Sequence, residues 1–469
     1  MALLFYFLRK LFAVTAVAFI LSGLDDLFLD LYYYIKFSFR LMRRWPKMTR
    51  ADLELVPEKH IAMIVPAWQE HEVIGQMLKR TLRTSQYKNY SIFVGTYPND
   101  PLTQAAVDTV AQTDARVHKV VLDHDGPTTK SDCLNGIMSG IAAFEAAGGP
   151  HSEVILLQDA EDVVDPLALK FMNYLVPRFY LVQIPVVPLP TPWYQFTAGT
   201  YLDEFAEYHT KDIWVRERLT KMVPSAGVGT GFSREALDRQ ALYGPVFNTL
   251  SLTEDYEISF RLGLPGKRSI LLRYMHTQQS GPDRGTQRLV ATREYFPSRF
   301  RAAARQKARW TIGIVFQGWR HVGWRSGAGM RYMLWRDRKA MLTYIFNLLG
   351  YAMFAVVALM YLLSLHSTRT AGYLHMLLPP GGKLRIALAI NIFFIAWRML
   401  QRAIAVHRVA GWQQALLSTL RTPWSHVINF FALLRAFRLV AQSLLTGNHI
   451  RWDKTQHHYP ASTDNDAAA

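Results

Sequence analysis

EVILLQDAED (153–162) is the stretch on which the reading of this chain turns. Glu153 to Leu157 is a short apolar run, of the length and composition of a buried strand. It stops at Gln158-Asp159-Ala160-Glu161-Asp162. Three carboxylates at one strand end repel one another and lose hydration, which is disfavoured unless a cation is bound. Asp159 and Glu161 are two apart, so in an extended turn they point the same way and can clamp one divalent ion. Hard oxygen ligands of this kind suit Mg²⁺ or Mn²⁺, and no Cys/His zinc spacing competes. The same acids would also suit the first turn of a helix ahead of Pro166, where the helix dipole favours them. The run alone leaves both readings open.

Toward the N-terminus the pattern repeats. Ile61–Val65, Ser91–Gly95 and Val117–Leu122 read as strands, and helices are expected from about 70 to 82, 103 to 111 and 132 to 147. Gly148-Gly149-Pro150 ends the last of these. Such alternation predicts an α/β domain with a mostly parallel sheet, whose ligand sits beyond the carboxyl ends of the strands. Neither G-x-G-x-x-G after the first strand nor a P-loop is present, which counts against dinucleotide and P-loop chemistry. Lys130 ends the loop after the third strand, where a lysine can meet a phosphate.

Toward the C-terminus lies a second acidic cluster, Thr253-Glu254-Asp255. Thr253 can simply cap a helix. In a functional reading Asp255 is a general base, taking the proton of an acceptor hydroxyl as it attacks the anomeric carbon of a nucleotide-diphosphate sugar. The leaving diphosphate then needs a metal and a cation to absorb its charge. Gln306-Lys307-Ala308-Arg309-Trp310 offers that cation. Arg301, Arg305 and Arg309 recur every four residues, on one helical face. Arg309 can hold a diphosphate bidentately and Trp310 can stack beneath a sugar. A membrane-surface helix with a basic rim fits the same residues.

The whole chain has 469 residues, 19% of them charged, one cysteine and a formal charge of +17. A lone Cys133 excludes a disulfide-stapled scaffold, and the aromatic content excludes disorder as the main state. The basic excess suits nucleic acid or an anionic membrane, and its placement chooses the membrane. Met341–Leu365 is an uncharged run long enough to cross a bilayer. Leu11–Leu24 spans if its flanks contribute, and Ile386–Trp397 if Leu384–Leu400 is helical. Arg40, Arg43, Arg44 and Lys47 follow the first span, Arg336, Arg338 and Lys339 precede the second, and Arg398, Arg402 and Arg408 follow the third. Positive-inside then puts residues from about 40 to 340, and the C-terminal tail, in the cytosol. Residues 411–450, with Arg435 and Arg438, read as amphipathic helices on the inner surface, a fourth span being the competing reading. No basic stripe suited to nucleic acid is seen.

Taken in order, VPAWQE (65–70), DAED (159–162), GTG (229–231), TED (253–255) and QKARW (306–310) resemble a membrane-bound, cellulose-synthase-like family 2 glycosyltransferase. GTYPNDP (95–101), KSDCLN (130–135), WRDRK (335–339) and RWDKTQHHYP (451–460) narrow the resemblance to the bacteriophage adsorption protein B family of bacterial inner membranes. The resemblance implies a GT-A nucleotide-sugar-binding domain set between transmembrane helices, and an inverting transfer. It implies Asp159 and Glu161 as metal ligands, with Asp159 also at the diphosphate, and Asp255 as base supported by Glu254. Gln306, Arg309 and Trp310 would shape the diphosphate and acceptor end, Gly229 and Thr230 would border the acceptor, and Glu70 and Lys130 would contact the nucleotide. Partners implied are a nucleotide-sugar donor, a glycan acceptor, the bilayer, an outer-membrane secretion partner and a separate regulatory protein. The expected divisions are 1–55, a first span; 56–300, the GT-A domain; 301–340, an interface segment; 341–410, two spans; 411–460, surface helices; and 461–469, a loose tail.

Three departures from the family pattern stand out. Glu161 replaces the second aspartate of Asp-x-Asp. Gly95 and Thr96 stand where an acidic pair usually meets the nucleotide base, with Asp100 a few residues late, so Thr96 and Asp100 are the expected base contacts. Three spans are few for a polymer channel, so residues 411–450, another copy or another protein completes the conduit, or only short chains are made. Trp193–Trp214 is expected to line the acceptor side, its Asp203, Glu204 and His209 serving there or lying solvated. The alternative function is a non-catalytic scaffold or docking component. Clustered acids at 159, 161 and 255 argue against it.

Overall fold

The computed structural model describes residues 2–42, 48–277, 285–447, 450 and 457–460. Arg43, Arg44, Lys47, residues 451–456 and the tail 461–469 lie outside the described residues.

Seven strands form the central sheet: β1 (Ile61–Pro66), β2 (Tyr90–Thr96), β3 (Val117–Val121), β4 (Val154–Leu157), β5 (Phe179–Gln183), β6 (Thr230–Ser233) and β7 (Arg268–Leu271). Their order is β3-β2-β1-β4-β6-β5-β7. β1 pairs in parallel with β2 and β4, β2 with β3, and β5 with β7, while β6 runs antiparallel between β4 and β5. The expected mixed, mostly parallel sheet is therefore present. β1, β2 and β4 are apolar on both faces because helices Ile74–Thr84 and Pro101–Ala111 cover one side and Lys130–Ala146 the other. Gly95 is needed for that cover: a Cβ there would stand 2.6 Å from Cys133 Sγ in the helix Lys130–Ala146. The sheet's C-terminal edge carries the turn from Gln158 to Leu167, and the next helix begins only at Ala168. Asp159 and Glu161 are thus not in a helix's first turn, which removes that alternative.

Among the described residues three helices are long and apolar enough to cross a membrane, Phe5–Phe39, Ala328–Ser364 and Lys383–Thr446. The first belongs to one unbroken helix, Ala2–Met42, so the segments flanking Leu11–Leu24 do contribute. Asp25, Asp26 and Asp30 do not interrupt it because each meets a cation. Arg336 and Lys339 bond Asp25, Arg336 reaches Asp26 at 3.0 Å, and Lys211 bonds Asp30. The third helical run breaks at Gly411, whose φ of 79° is left-handed. Beyond it, Ser418, Thr422, Ser425, Asn429, Ala432 and Ala436 recur at helical spacing and are buried. They face helices Phe196–Glu207 and Phe300–Thr311, as the bonds of Lys307 to Asn429 and of Ser425 to Glu204 show. Trp412, Leu416, Leu420, Phe431 and Leu434 are exposed on the other side. This limb is amphipathic, with its apolar face turned away from the domain.

Candidate active site

The chain leaves β1 through Pro66-Ala67-Trp68-Gln69-Glu70. Gln69 is left-handed, with φ 54°, and its N–H donates to Asp100 Oδ2 at 2.6 Å. The Glu70 N–H donates to Thr103 Oγ1 at 3.0 Å. Asp100 also caps helix Pro101–Ala111 through the Thr103 N–H. These bonds aim Glu70 into a cavity beyond the strand ends that Asp100 itself does not line. Thr96 is fully buried at the end of β2 and does not line it either. The two expected base contacts therefore serve the turn and the core, and Trp68, Tyr97 and Thr128 occupy the cavity wall at that end.

The β4 turn supplies Asp159 and Glu161. Asp159 pairs with Lys130 at 2.5 Å, and its N–H donates to Asp162 Oδ2 at 2.7 Å. Lys130 also donates to the Gly227 carbonyl at 3.1 Å. Glu161 instead turns toward the C-terminal segment. His457 Nε2 stands 3.2 Å from Glu161 Oε1, and its Nδ1 stands 3.0 Å from Glu70 Oε1. One ligand atom from each of Glu70, Glu161 and His457 lies within 4.8 Å of the others. Two oxygens and one imidazole nitrogen, all in the cavity wall, make a donor set that fits a divalent cation such as Mn²⁺ or Mg²⁺. Of the expected metal pair, Glu161 lies in this group and Asp159 is engaged by Lys130.

Opposite, Glu254 and Asp255 open the helix Glu254–Arg261 and line the same cavity. Asp255 Oδ1 accepts from the Tyr256 N–H at 2.8 Å. Its other oxygen lies over Gly227, where an added Cβ would be only 2.7 Å away and φ is 81°, so this close approach requires glycine. Gly229 and Thr230 do not line the cavity. Thr230 Oγ1 is buried and donates to Gln183 Oε1 at 2.8 Å, and the Gly229 N–H donates to Gln158 Oε1 at 3.1 Å. They lock β6 to its neighbours, and it is Gly227 and Val228 that face the cavity.

Helix Phe300–Thr311 brings Gln306, Arg309 and Trp310 to the far wall. Trp310 packs edge-on against Tyr201 with ring centroids 6.0 Å apart, and Phe205 and Phe296 complete an aromatic surface. Of the stretch 193–214, Phe205 reaches the cavity, whereas Trp193 and Tyr194 are exposed and Trp214 is buried against Tyr33. Asp203 and His209 are buried rather than solvated, and Glu204 is partly buried. Asp203 pairs with Arg421 at 2.6 Å, and Glu204 pairs with Lys307 at 2.6 Å.

Electrostatically the cavity is short of cations. Burial, with Asp255 adding to it, pushes Glu254 up to about 7. Burial raises Asp255 as well, against the pull of Lys130. Glu161 is pushed up to about 7 by burial and by Asp159 and Glu70, which together outweigh His457. His457 resists its own burial because Glu161 and Glu70 hold it protonated, at about 9. Glu294, also on the wall, is raised well above the usual range by burial and by Glu161. His457 and Glu294 were not anticipated from sequence as site residues. The pair His457-His458 within RWDKTQHHYP was the one available signal for the first, and nothing marked the second.

A family model for glycosyl transferase family group 2 matches residues 154–368. Bacteriophage adsorption protein B of Escherichia coli (strain K12) is 42% identical over 469 residues, covering 97% of this chain and 63% of that protein. The chain carries a family 2 glycosyltransferase domain. Bacteriophage N4 adsorption protein B of Escherichia coli O157:H7 is likewise 42% identical, with the same coverage, so the chain spans 63% of the length of the curated relatives it matches. Among solved structures, a mannosyltransferase of Pyrobaculum calidifontis in complex with GDP-mannose and Mn²⁺ overlaps 92% of this chain and 99% of its own, at 14% identity and a TM-score of 0.47. In this glycosyltransferase domain the matched segment begins at β4 and runs through the acidic turn, Glu254-Asp255 and the Gln306–Trp310 wall into the second long apolar helix.

Proposed function

We propose that the protein transfers a hexose or N-acetylhexosamine from a nucleotide-diphosphate sugar, UDP-linked, to a growing glycan, with inversion at the anomeric carbon. The observation that carries this reading is the convergence of Glu70, Asp159, Glu161 and Asp255, from three separate strand-end or helix-start turns, with Arg309 and Trp310 on one cavity. A carboxylate at Asp255 takes the acceptor hydroxyl's proton as that oxygen attacks. Glu254, beside it, and the Lys130 cation set the charge around that carboxylate. Lys130 and Arg309 meet the diphosphate, Gln306 and Trp310 the acceptor end. A Mg²⁺ or Mn²⁺ held by Glu70, Glu161 and His457, close to Asp159, would offset the charge of the departing diphosphate.

In this reading residues 56–300 bind the donor on the cytosolic face of a bacterial inner membrane, 301–340 and 411–460 lie along it, and 1–55 and 341–410 cross it. Exopolysaccharide synthesis, export through an outer-membrane partner and control by a separate protein complete the proposal. A non-catalytic docking role is the alternative.

Purified protein incubated with a panel of nucleotide sugars plus Mg²⁺ or Mn²⁺, with products weighed by mass spectrometry, tests the reading. One donor is expected to extend a glycan. Asp255→Asn is expected to lower that rate by ~10²-fold or more while the protein stays folded and membrane-inserted. Unchanged turnover in the variant removes Asp255 from the mechanism, and no turnover of any donor by the wild type favours the docking role.

A further inference from the structure

One cavity carboxyl has no task in the scheme above. Glu294 lines the wall two residues before Phe296, and among the described residues no hydrogen bond or ion pair reaches its side chain. Its backbone is fixed on both sides. Arg293 exchanges two hydrogen bonds with Val163, at 2.7 and 3.1 Å, and the Glu294 carbonyl accepts from the Leu189 N–H at 2.8 Å. A floppy surface acid would not be tied in this way. The acid is also badly placed for stability alone, since Glu161, Asp159 and Asp162 are its electrostatic neighbours and like charges in a sheltered site repel.

A second unmet acceptor shares the cavity. Gln306 Oε1 is buried without a hydrogen-bond partner. The same cavity is lined by the rings of Phe296 and Trp310, linked through Tyr201 at centroid distances of 4.7 and 6.0 Å. Hydrogen-bond acceptors flanking an apolar aromatic surface match a pyranose, whose hydroxyls donate at its rim and whose C–H face is apolar. A buried acceptor left unmet is costly, so the ligand that fills this space is selected for donors.

We infer that Glu294 accepts a hydroxyl hydrogen bond from the transferred sugar and so sets which sugar the cavity takes. This rests on the glycosyltransfer reading above and goes beyond it by naming a residue for sugar selection. Because Glu294 neighbours Asp159 and Glu161, the ring it meets is the donor's, next to the diphosphate. Glu294 is not among the residues read as diphosphate contacts, Lys130 and Arg309, so affinity for nucleoside diphosphate without a sugar should change little when Glu294 is replaced.

The test uses the full chain in detergent, with calorimetric binding of the nucleoside diphosphate alone and turnover of the sugar-linked donor. Glu294→Ala is expected to lower kcat/KM for the donor by ~10–100-fold, with affinity for the bare nucleoside diphosphate and for Mn²⁺ changed less than ~3-fold. Glu294→Gln, whose amide oxygen still accepts, is expected to recover most of the loss. Donors lacking one hydroxyl at a time should show a penalty in the wild type that vanishes in Glu294→Ala for the hydroxyl concerned. Equal losses for donor, bare diphosphate and Mn²⁺ would mean a structural or metal-holding role and overturn the inference. An active wild type with an unaffected Glu294→Ala overturns it alone, whereas a wild type inert toward every nucleotide sugar sinks the transfer reading itself and takes this one with it.

Discussion

Two buried charge clusters in this molecule behave in opposite ways. At the junction between the domain and its long apolar helices, Glu207 meets Lys211 at 2.9 Å, Arg398 at 2.6 Å and Arg402 at 3.5 Å. Asp30 accepts from Trp397 Nε1 at 2.8 Å besides Lys211, and Asp25 and Asp26 share Arg336. Despite its burial, Glu207 is held well below the usual carboxylate range by Arg398, Lys211 and Arg402. In the cavity burial prevails. Glu161 and Glu254 are pushed up to about 7, because acids outnumber the cations around them. The lesson concerns supply. A cluster that only holds parts together brings its own counter-charge, and one that must receive a ligand leaves part of the counter-charge to the ligand.

The largest expected effect tests the junction. Glu207→Ala leaves Lys211, Arg398 and Arg402 facing one another without their shared anion. Removing one partner of a buried ion cluster costs ~3–5 kcal/mol, so thermal unfolding in detergent should shift down strongly. The native contribution should persist at acid pH. Glu207's pKa is lowered on folding, so its stabilisation is present above the unfolded value and lost only as pH falls through the lower folded one. Asp255→Asn, in contrast, should leave the unfolding transition nearly in place. If the two variants exchanged these effects, the distinction between a self-balanced and a ligand-balanced cluster would collapse.

The same contrast explains what could be read in advance. Strands β1 to β4 and the helices between them were legible because apolar runs alternate with clear stops, as at Gly148-Gly149-Pro150. The antiparallel β6 was not, since TGFS is too short to reveal a direction and reads first as a glycine motif. Asp159, Glu161, Glu254, Asp255, Lys130, Gln306, Arg309 and Trp310 do share one cavity. Thr96, Asp100, Gly229 and Thr230 fall just outside it, because Thr96 is buried at the end of β2, Asp100 is taken up by the Gln69 turn and a helix cap, and Gly229 and Thr230 are tied to Gln158 and Gln183. Gly227 and Val228, immediately before, occupy the wall instead. His457 could not be placed from spacing at all. Its position depends on a chain that has passed through the long C-terminal helices and returned to the turn after β1.

That return sets the next test. If the cavity's missing charge is supplied by a divalent ion, His457→Ala removes one donor while leaving Glu70 and Glu161 in place. Mn²⁺ affinity, followed by electron paramagnetic resonance or calorimetry, is expected to fall by ~10–100-fold. The junction variant Glu207→Ala, assayed where it remains folded, should bind Mn²⁺ as the wild type does. Equal Mn²⁺ binding by wild type and His457→Ala would separate the imidazole from the ion and leave it as a plain ion-pair partner of Glu70 and Glu161.

The smallest expected effect is the most specific to the cavity's charge deficit. Lys130 touches both sides, pairing with Asp159 while its field, together with that of Arg309, reaches Glu254 and Asp255. It lowers both of these acids against the rise that burial imposes. With Glu254 at about 7, transfer should decline as pH drops through neutrality, since the acids around the proposed base take up protons. Lys130→Met removes the opposing field, so both acids should rise further and the acid limb of the pH–rate profile should move to higher pH by ~1 unit, equivalent to about 1.4 kcal/mol. Lys130→Arg keeps a cation and should leave the limb near its wild-type position even if the maximal rate falls. Should Lys130→Met lower the rate equally at every pH, Lys130 acts on the diphosphate alone, and the acids draw their counter-charge from the ligand and metal without help from the chain.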